Sequence, residues 1–374
     1  MLAEMFSELK SFEELARSFA AHELAVRRDE HDRYPFGPFF DEVVEKAFGI
    51  GLFGITMPEE SGGVGQGMHA LCVMLDQISQ VDASLAGIVF TNAMAQEVLC
   101  AAGRKDIVRD ILTSATDARG ALVAFTSFCN PSETMPAAEA QKTADGYLLS
   151  GSIEHAVLGS LSSRALIPAS IRGQQGYSFF LIDLSDQWVV RSEPVFTLGL
   201  HACPAVDLRL SKAPGVCIGA EGEGPQYFSQ AADRMHVAAA AMECGIMKGS
   251  FREAFAYSTE RFQGGWEIVN WSSLRMMLAD MAVQVQIADM VLDRAASAVD
   301  LQGQDWGLCS RAAALHVGEL ACTLTTDGIQ VLGGNGYMKD YGQEKRFRDA
   351  KQVQCLLGMV PLRKLAFMGE LMQT

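Results

Sequence analysis

Gln330-Val331-Leu332-Gly333-Gly334-Asn335-Gly336-Tyr337 sets three glycines in four positions behind a glutamine. Glycine takes a positive φ cheaply and lets a backbone or a phosphate come close, so the stretch suits a phosphate-bearing ligand or a plain helix cap and turn. Arg261, in Glu260-Arg261-Phe262-Gln263-Gly264-Gly265, carries a guanidinium fork fitted to a phosphate. A helix-terminal charge that complements the helix dipole is its simpler alternative. Glu154, His155 and His236 are the side chains an acid–base set would use, against a bland reading as packed or solvated residues. Asp233 reads by itself as a solvated helix aspartate, and Met235, Met242 and Met247 read as core packing.

The elements that would position these residues fall into three blocks. Residues 1–118 are helical in pattern, with apolar stripes through Phe12, Leu15, Phe19 and Leu24 and over 39–53 and 71–99. From 119 to 214 the period shortens: 122–128, 147–153, 165–171, 177–182, 188–195 and 206–210 are β-branched or aromatic runs between breakers. They predict a small antiparallel sheet, a barrel or a sandwich. Helical spacing returns from 215 to 374, with a hinge at Gly222-Glu223-Gly224. It predicts four long helices, to about Arg261, over 272–301, over 305–331 and from 349 to 372, and hence a bundle.

Composition narrows the partners. Hydrophobic residues make up 49% of the 374 and charged ones 20%, which predicts a well-buried globular chain. A net charge of −15 argues against nucleic acid or an anionic membrane. The nine cysteines form no Cys-x-x-Cys pair and suit reduced thiols in a cytoplasmic protein. The acidic amphipathic N-terminus is unlike a signal or transit peptide, and no apolar run is read as a membrane span. No metal site is expected.

Taken whole, Gln330-x-x-Gly333-Gly334-x-Gly336-Tyr337 followed by Arg348-Asp349-Ala350 resembles the C-terminal signature of the acyl-CoA dehydrogenase family. Gly51-x-x-Gly54 leading to Pro58-Glu59-x-x-Gly62-Gly63 looks like the family's N-terminal-domain signature, and the resemblance covers nearly the whole chain. It implies an α+β fold made of an N-terminal helical domain, a middle β domain and a C-terminal four-helix bundle. It also implies FAD lying between the β domain and the bundle, and an acyl-CoA thioester that loses an α-proton to a glutamate and a β-hydride to the flavin.

Matched residue by residue, the chain departs from the family where the chemistry is done. The glutamate expected ten residues into the Arg-Asp-Ala segment is Leu357. The alternative base position on the long helix is Met235, with His236 where the family has an arginine. Neither apolar side chain accepts a proton. In the loop that meets the flavin and substrate, Thr126 and Ser132 match. The Trp-Ile-Thr that packs on the flavin is His155-Ala156-Val157, and the Thr-x-Gln at its ribityl chain and phosphates is Met359-Val360-Pro361. Residues the family extends to a neighbouring subunit's FAD fare better: Arg261 for the pyrophosphate, and Gln330, Gly333 and Gly334 for the adenine end. Asp233 matches a residue that meets the CoA adenine.

These matches imply a non-catalytic subunit of a hetero-oligomeric, FAD-dependent acyl-CoA dehydrogenase. It would be paired with a catalytically complete paralogue, and an electron-transferring flavoprotein is an open possibility as electron acceptor. An active FAD enzyme of monooxygenase or oxidase type, with His236 or His155 as substitute base, is the second reading. A flavin-free acyl-CoA-binding scaffold is the third.

Overall fold

The computed structural model describes residues 2–33, 39–134, 136–144 and 146–372. Seven helices come first: α1 (Leu2–Phe19), α2 (Arg28–His31), α3 (Phe39–Gly49), α4 (Met68–Ser79), α5 (Ala83–Ala101), α6 (Lys105–Ser114) and α7 (Ala118–Ala121). Asp82 caps α5 by accepting the Ser84 N–H at 2.8 Å, satisfying one of the donors a helix start leaves free. α5 is buried on nearly every side. By length and composition it could cross a membrane, contrary to the expectation that no run would qualify, yet 94% of that apolar window is buried inside the protein.

A seven-stranded sheet follows: β1 (Val123–Phe125), β2 (Ala138–Thr143), β3 (Gly146–Val157), β4 (Arg164–Ile171), β5 (Ser178–Asp183), β6 (Val189–Arg191) and β7 (Ala205–Ile218). Its order is β1-β3-β2-β4-β5-β7-β6, with β1–β4 and β3–β7 pairing as well. The sheet was expected to be antiparallel, but it is mixed, because β4 runs parallel to both β1 and β2. β2 was not anticipated at all: Ala138-Glu-Ala-Gln-Lys-Thr143 shows the sheet only two inward alanines. In β3 the register against β7 slips between Ile153 and Ala156, and His155 sits in that irregularity at φ 55°.

The C-terminal part comprises α8 (Gly224–Glu260), a two-strand ribbon of β8 (Phe262–Gln263) and β9 (Trp266–Glu267), α9 (Ser272–Leu301), α10 (Trp306–Leu332), α11 (Gln343–Val353) and α12 (Val360–Leu371). The last helix is not continuous from 349 to 372 as its spacing predicted. Leu357 at φ 64° and Gly358 at φ 121° turn the chain out of α11, and Pro361 restarts it in the first turn of α12. This break places Leu357 beside the β domain.

α11 fastens the domains together. Lys345 Nζ reaches Asp349 Oδ2 at 2.6 Å and Asp82 Oδ1 at 3.2 Å. The other oxygen of Asp349 accepts the Leu200 N–H at 2.8 Å. Arg346 donates to the carbonyls of Ser79 and Gln80 and to Glu253, and Arg348 pairs with Asp32 and Glu344. Burial pushes the Asp82 carboxyl up, but Lys345, the Ser84 N–H and His31 together hold it below the usual range. At Asp32 burial is likewise outweighed by His201 and Arg348, and at Glu253 by Arg346 and Arg28.

Replacing Lys345 by Met strands two buried carboxylates, so urea unfolding at pH 7 should show a loss of about 3–5 kcal/mol. Because these folded-state carboxyl pKa values are depressed, their contribution is full above about pH 4 and lost as pH falls through the folded values. Acid unfolding monitored by circular dichroism should therefore begin below about pH 4; a protein most stable at pH 3 would contradict the assignment.

Candidate substrate cavity and cofactor cradle

A cavity of about 510 Å³ opens between the 130–133 loop, α8, α10 and α12. Ser132, Asp233, His236 and Leu357 all line it, so four residues distant in sequence do converge. Leu357 is 1% exposed and its N–H donates to the Ser127 carbonyl at 2.9 Å. Two residues on, the Met359 N–H is held by the Glu133 carboxylate at 3.0 Å. Glycine suits the position between them, since Gly358 holds φ 121° and a Cβ there would also crowd Glu133 Oε1 at 2.5 Å. Thus the loop that carries Thr126 and Ser132 is hydrogen-bonded directly to the segment that carries Leu357. Met235, Met242 and Met247 are each fully buried.

Asp233 is not a solvated aspartate. Its Oδ1 takes the Arg311 Nε–H at 2.7 Å, and Arg311 also pairs with Glu370 at 2.8 Å. His236 is 6% exposed, and its Nδ1 has no partner. Burial, and then the Arg363 and Arg311 charges, push its pKa well below the usual value, so the ring is neutral at pH 7. His155 lies elsewhere: exposed on β3, with its N–H on Asp207 Oδ1 at 3.0 Å. No hydrogen bond or ion pair joins Glu154, His155 and His236 among the described residues.

Sequence reasoning passed over Glu243, seven residues beyond His236 on α8. It is 2% exposed and neither carboxyl oxygen has a hydrogen-bond partner. Burial drives its pKa well up, further than the Arg363 and Lys351 charges can offset. The signal was present: a lone acid inside the apolar run from Val237 to Met247. Arg363, in an otherwise ordinary amphipathic helix, gave none.

On the other side of the bundle a second cavity, of about 380 Å³, is lined by Arg261, Gln330 and Gly333 together with Tyr257, Ile268 and Trp271. Gly333 ends α10 at φ 59°, and a Cβ added there or at Gly334 would meet nothing within 4 Å. The turn therefore leaves room for a ligand to approach the backbone. Arg261 is the C-terminal cap of α8, and its side chain makes no hydrogen bond or ion pair among the described residues. Phe262 and Trp266, on the ribbon next in sequence to the lining residues Arg261 and Gln263, are 62% and 61% exposed.

Residues 222–359 match the family described as acyl-CoA dehydrogenase, C-terminal domain, and residues 7–118 match acyl-CoA dehydrogenase, N-terminal domain. The chain belongs to the acyl-CoA dehydrogenase family. A probable acyl-CoA dehydrogenase of Mycobacterium leprae is 27% identical to it, spanning 100% of this chain and 96% of its own length. The CarC subunit of the caffeyl-CoA reductase–Etf complex of Acetobacterium woodii is also 27% identical, over 98% of this chain and 99% of its own. The solved butyryl-CoA dehydrogenase of Megasphaera elsdenii superimposes with a TM-score of 0.85 at 23% identity, covering 97% and 98% of the two chains. The architecture of helical ends around a middle sheet is thus the acyl-CoA dehydrogenase fold.

Members of this family bind FAD, and the two halves of such a site fit this chain unequally. Arg261, Gln330 and the Gly333-Gly334 turn offer an unpaired cation, an exposed amide and open backbone around one cavity. On the other half, Thr126 Oγ1 is buried without a partner, as a flavin-facing hydroxyl would be. Against it, Met359 N–H is already taken by Glu133, and Pro361 has no N–H to give.

Histidine-selective NMR offers a check on the neutral ring. The His236 imidazole should titrate well below the value near 6.5 of an exposed histidine. A midpoint above 6 at His236 would mean that the ring is solvated or ion-paired after all.

Proposed function

We propose that this chain is the non-catalytic subunit of a hetero-oligomeric, FAD-dependent acyl-CoA dehydrogenase. Its task is to complete the cofactor site of a catalytically complete paralogue. The contrast between the two half-sites carries the reading. Where a base is needed, Leu357 and Met235 are buried and apolar, and the flanking loops bond to each other; where a neighbour's cofactor is expected, the cradle is open and its cation unpaired. Bound in the paralogue, FAD supplies the two-electron acceptor for oxidation of the acyl thioester.

In this arrangement Arg261 provides a fork for the pyrophosphate oxygens, and Gln330 provides an amide for the adenine end. Gly333 and Gly334 let that end lie against the backbone. Phe262 and Trp266, exposed beside the cavity, are suited to burial against the partner. The reading is supported, too, by a relative that is itself a subunit of a complex containing an electron-transferring flavoprotein; that protein would take electrons from the paralogue's flavin.

A second reading, an active enzyme with altered chemistry, is favoured by the unpartnered Thr126 hydroxyl and by the neutral His236 ring at the cavity wall. Under it the chain alone holds flavin and His236 accepts the proton.

The absorbance spectrum separates the two. Purified alone, the chain should lack flavin bands; co-purified with the paralogue, it should carry about one FAD per two chains. Arg261→Gln in the complex should weaken flavin retention by about tenfold, the scale of one lost charge-assisted contact. Stoichiometric FAD on the isolated chain, with oxidation of an acyl-CoA, would rule the non-catalytic role out.

A further inference from the structure

Two arginines border the 510 Å³ cavity, and they are in different electrostatic states. Arg311 is fully engaged by Asp233 and Glu370. Arg363, on α12, is more than half buried, yet its guanidinium forms no ion pair among the described residues. Its one hydrogen bond runs from Nη2 to the Gln354 carbonyl at 2.9 Å, and Nε is buried without a partner. A buried cation with no counter-ion is costly, and it normally marks a place where an anion belongs.

The nearby acids do not supply that anion. Glu243 faces Arg363, but its carboxyl forms no hydrogen bond or ion pair with the guanidinium, and burial pushes its pKa well up. The Glu133 carboxylate is turned to the Met359 N–H. Burial lowers the Arg363 pKa by more than the Glu243, Cys355 and Glu133 sites raise it, in keeping with a guanidinium that has no ion-pair partner in contact. His236, neutral and nine-tenths buried, shares the cavity wall and adds a second unpartnered polar group. The remaining wall is mixed: Phe228, Leu315, Leu357 and Leu362 stand beside Asn130, Ser132, Ser229 and the mutually paired Asp233 and Arg311. A volume of this size suits a small molecule.

We infer that this cavity is a receptor for a carboxylate on a short apolar chain, with Arg363 as the group that recognises the anionic end and His236 as its hydrogen-bonding neighbour. The carboxylate belongs either to a free organic acid or to an acyl thioester whose far end is ionised. This deepens the proposed function, on which it rests in one respect: the ligand is held here and not oxidised.

The test is calorimetric titration of the purified chain with glutarate, glutaryl-CoA and the uncharged comparator butyryl-CoA. Glutaryl-CoA should bind at least about tenfold more tightly than butyryl-CoA, the scale of a buried charge-assisted contact, and Arg363→Gln should abolish that preference. Free glutarate binding with the same Arg363 dependence would assign the pocket to free acids; glutaryl-CoA binding alone would assign it to thioesters. Equal affinity for the two thioesters, a preference that survives Arg363→Gln, or no binding of either glutarate compound overturns the inference.

Two further variants guard against a misfolded Arg363→Gln protein. Arg363→Lys keeps the charge and should retain part of the preference; losing all of it while folded by circular dichroism counts against recognition through charge. Glu243→Gln should leave binding within about twofold, because the acid makes no ion pair with Arg363; tenfold tighter binding would show that Glu243 had been the counter-ion, and would overturn the inference. The flavin spectrum is read separately. A flavin-replete chain that still prefers glutaryl-CoA sinks the non-catalytic role alone, and a flavin-free chain without the preference sinks only the carboxylate site.

Discussion

Lys345, in the helix between the Gly-rich turn and the Leu357 break, is the ammonium on which three domains meet. It is buried, and so are the two carboxylates it joins, Asp82 at the start of an N-terminal-domain helix and Asp349 one turn along its own. Asp349 passes the connection to the β domain through the Leu200 N–H, while Arg346 ties the same helix to Ser79, Gln80 and Glu253. Such groups do not tolerate small displacements, since a buried charge that loses its partner is left without water or counter-ion. The helix is fixed in all directions, and the segment leaving it delivers Leu357 to the β domain in one position only.

Around that fixed helix the chain presents two cavities with opposite characters. One faces the β domain and is closed in part by the protein's own bonds, the Leu357 and Met359 amides on the 127–133 loop. The other, beyond the Gly333 turn, keeps its cation and its backbone free. Both are walled by α8 and α10, so the difference lies in the segments added at each end, the 127–133 loop at one and the Gly333 turn at the other. A leucine, a methionine and a proline stand where proton transfer and phosphate contact would need polar groups. On the proposed non-catalytic reading, the fold is retained while the base of the chemistry is not.

Most of the architecture was legible because apolar spacing reports burial directly. The 37-residue helix from Gly224 and its two long neighbours follow from their stripes, and six of the seven strands follow from β-branched runs. β2 escaped because its outward residues are charged and its inward ones are only alanines. The last helix was drawn unbroken because Gln352 to Leu356 carry no breaker; Gly358 and Pro361 act after the turn has begun. In the cavities, Arg261, Gln330 and Gly333 were readable as a group, as were Ser132, Asp233, His236 and Leu357. Arg363 was not, because what sets it apart is the lack of an ion-pair partner, which spacing does not encode; Glu243 was visible only as a lone acid in an apolar run. The Asp233–Arg311 pair, 78 residues apart, was hidden for the same reason.

The placement of Arg348-Asp349-Ala350 bears on how such chains are sorted. These residues touch no cavity described above: Asp349 is held by Lys345 and Leu200, Arg348 by Asp32 and Glu344, and Ala350 is fully buried. Their signature therefore diagnoses an assembly of three domains and is blind to whether the neighbouring loop can take a proton. A classifier built on it would group chains that carry a glutamate at the Leu357 position with chains that do not, because that position lies outside the fastening.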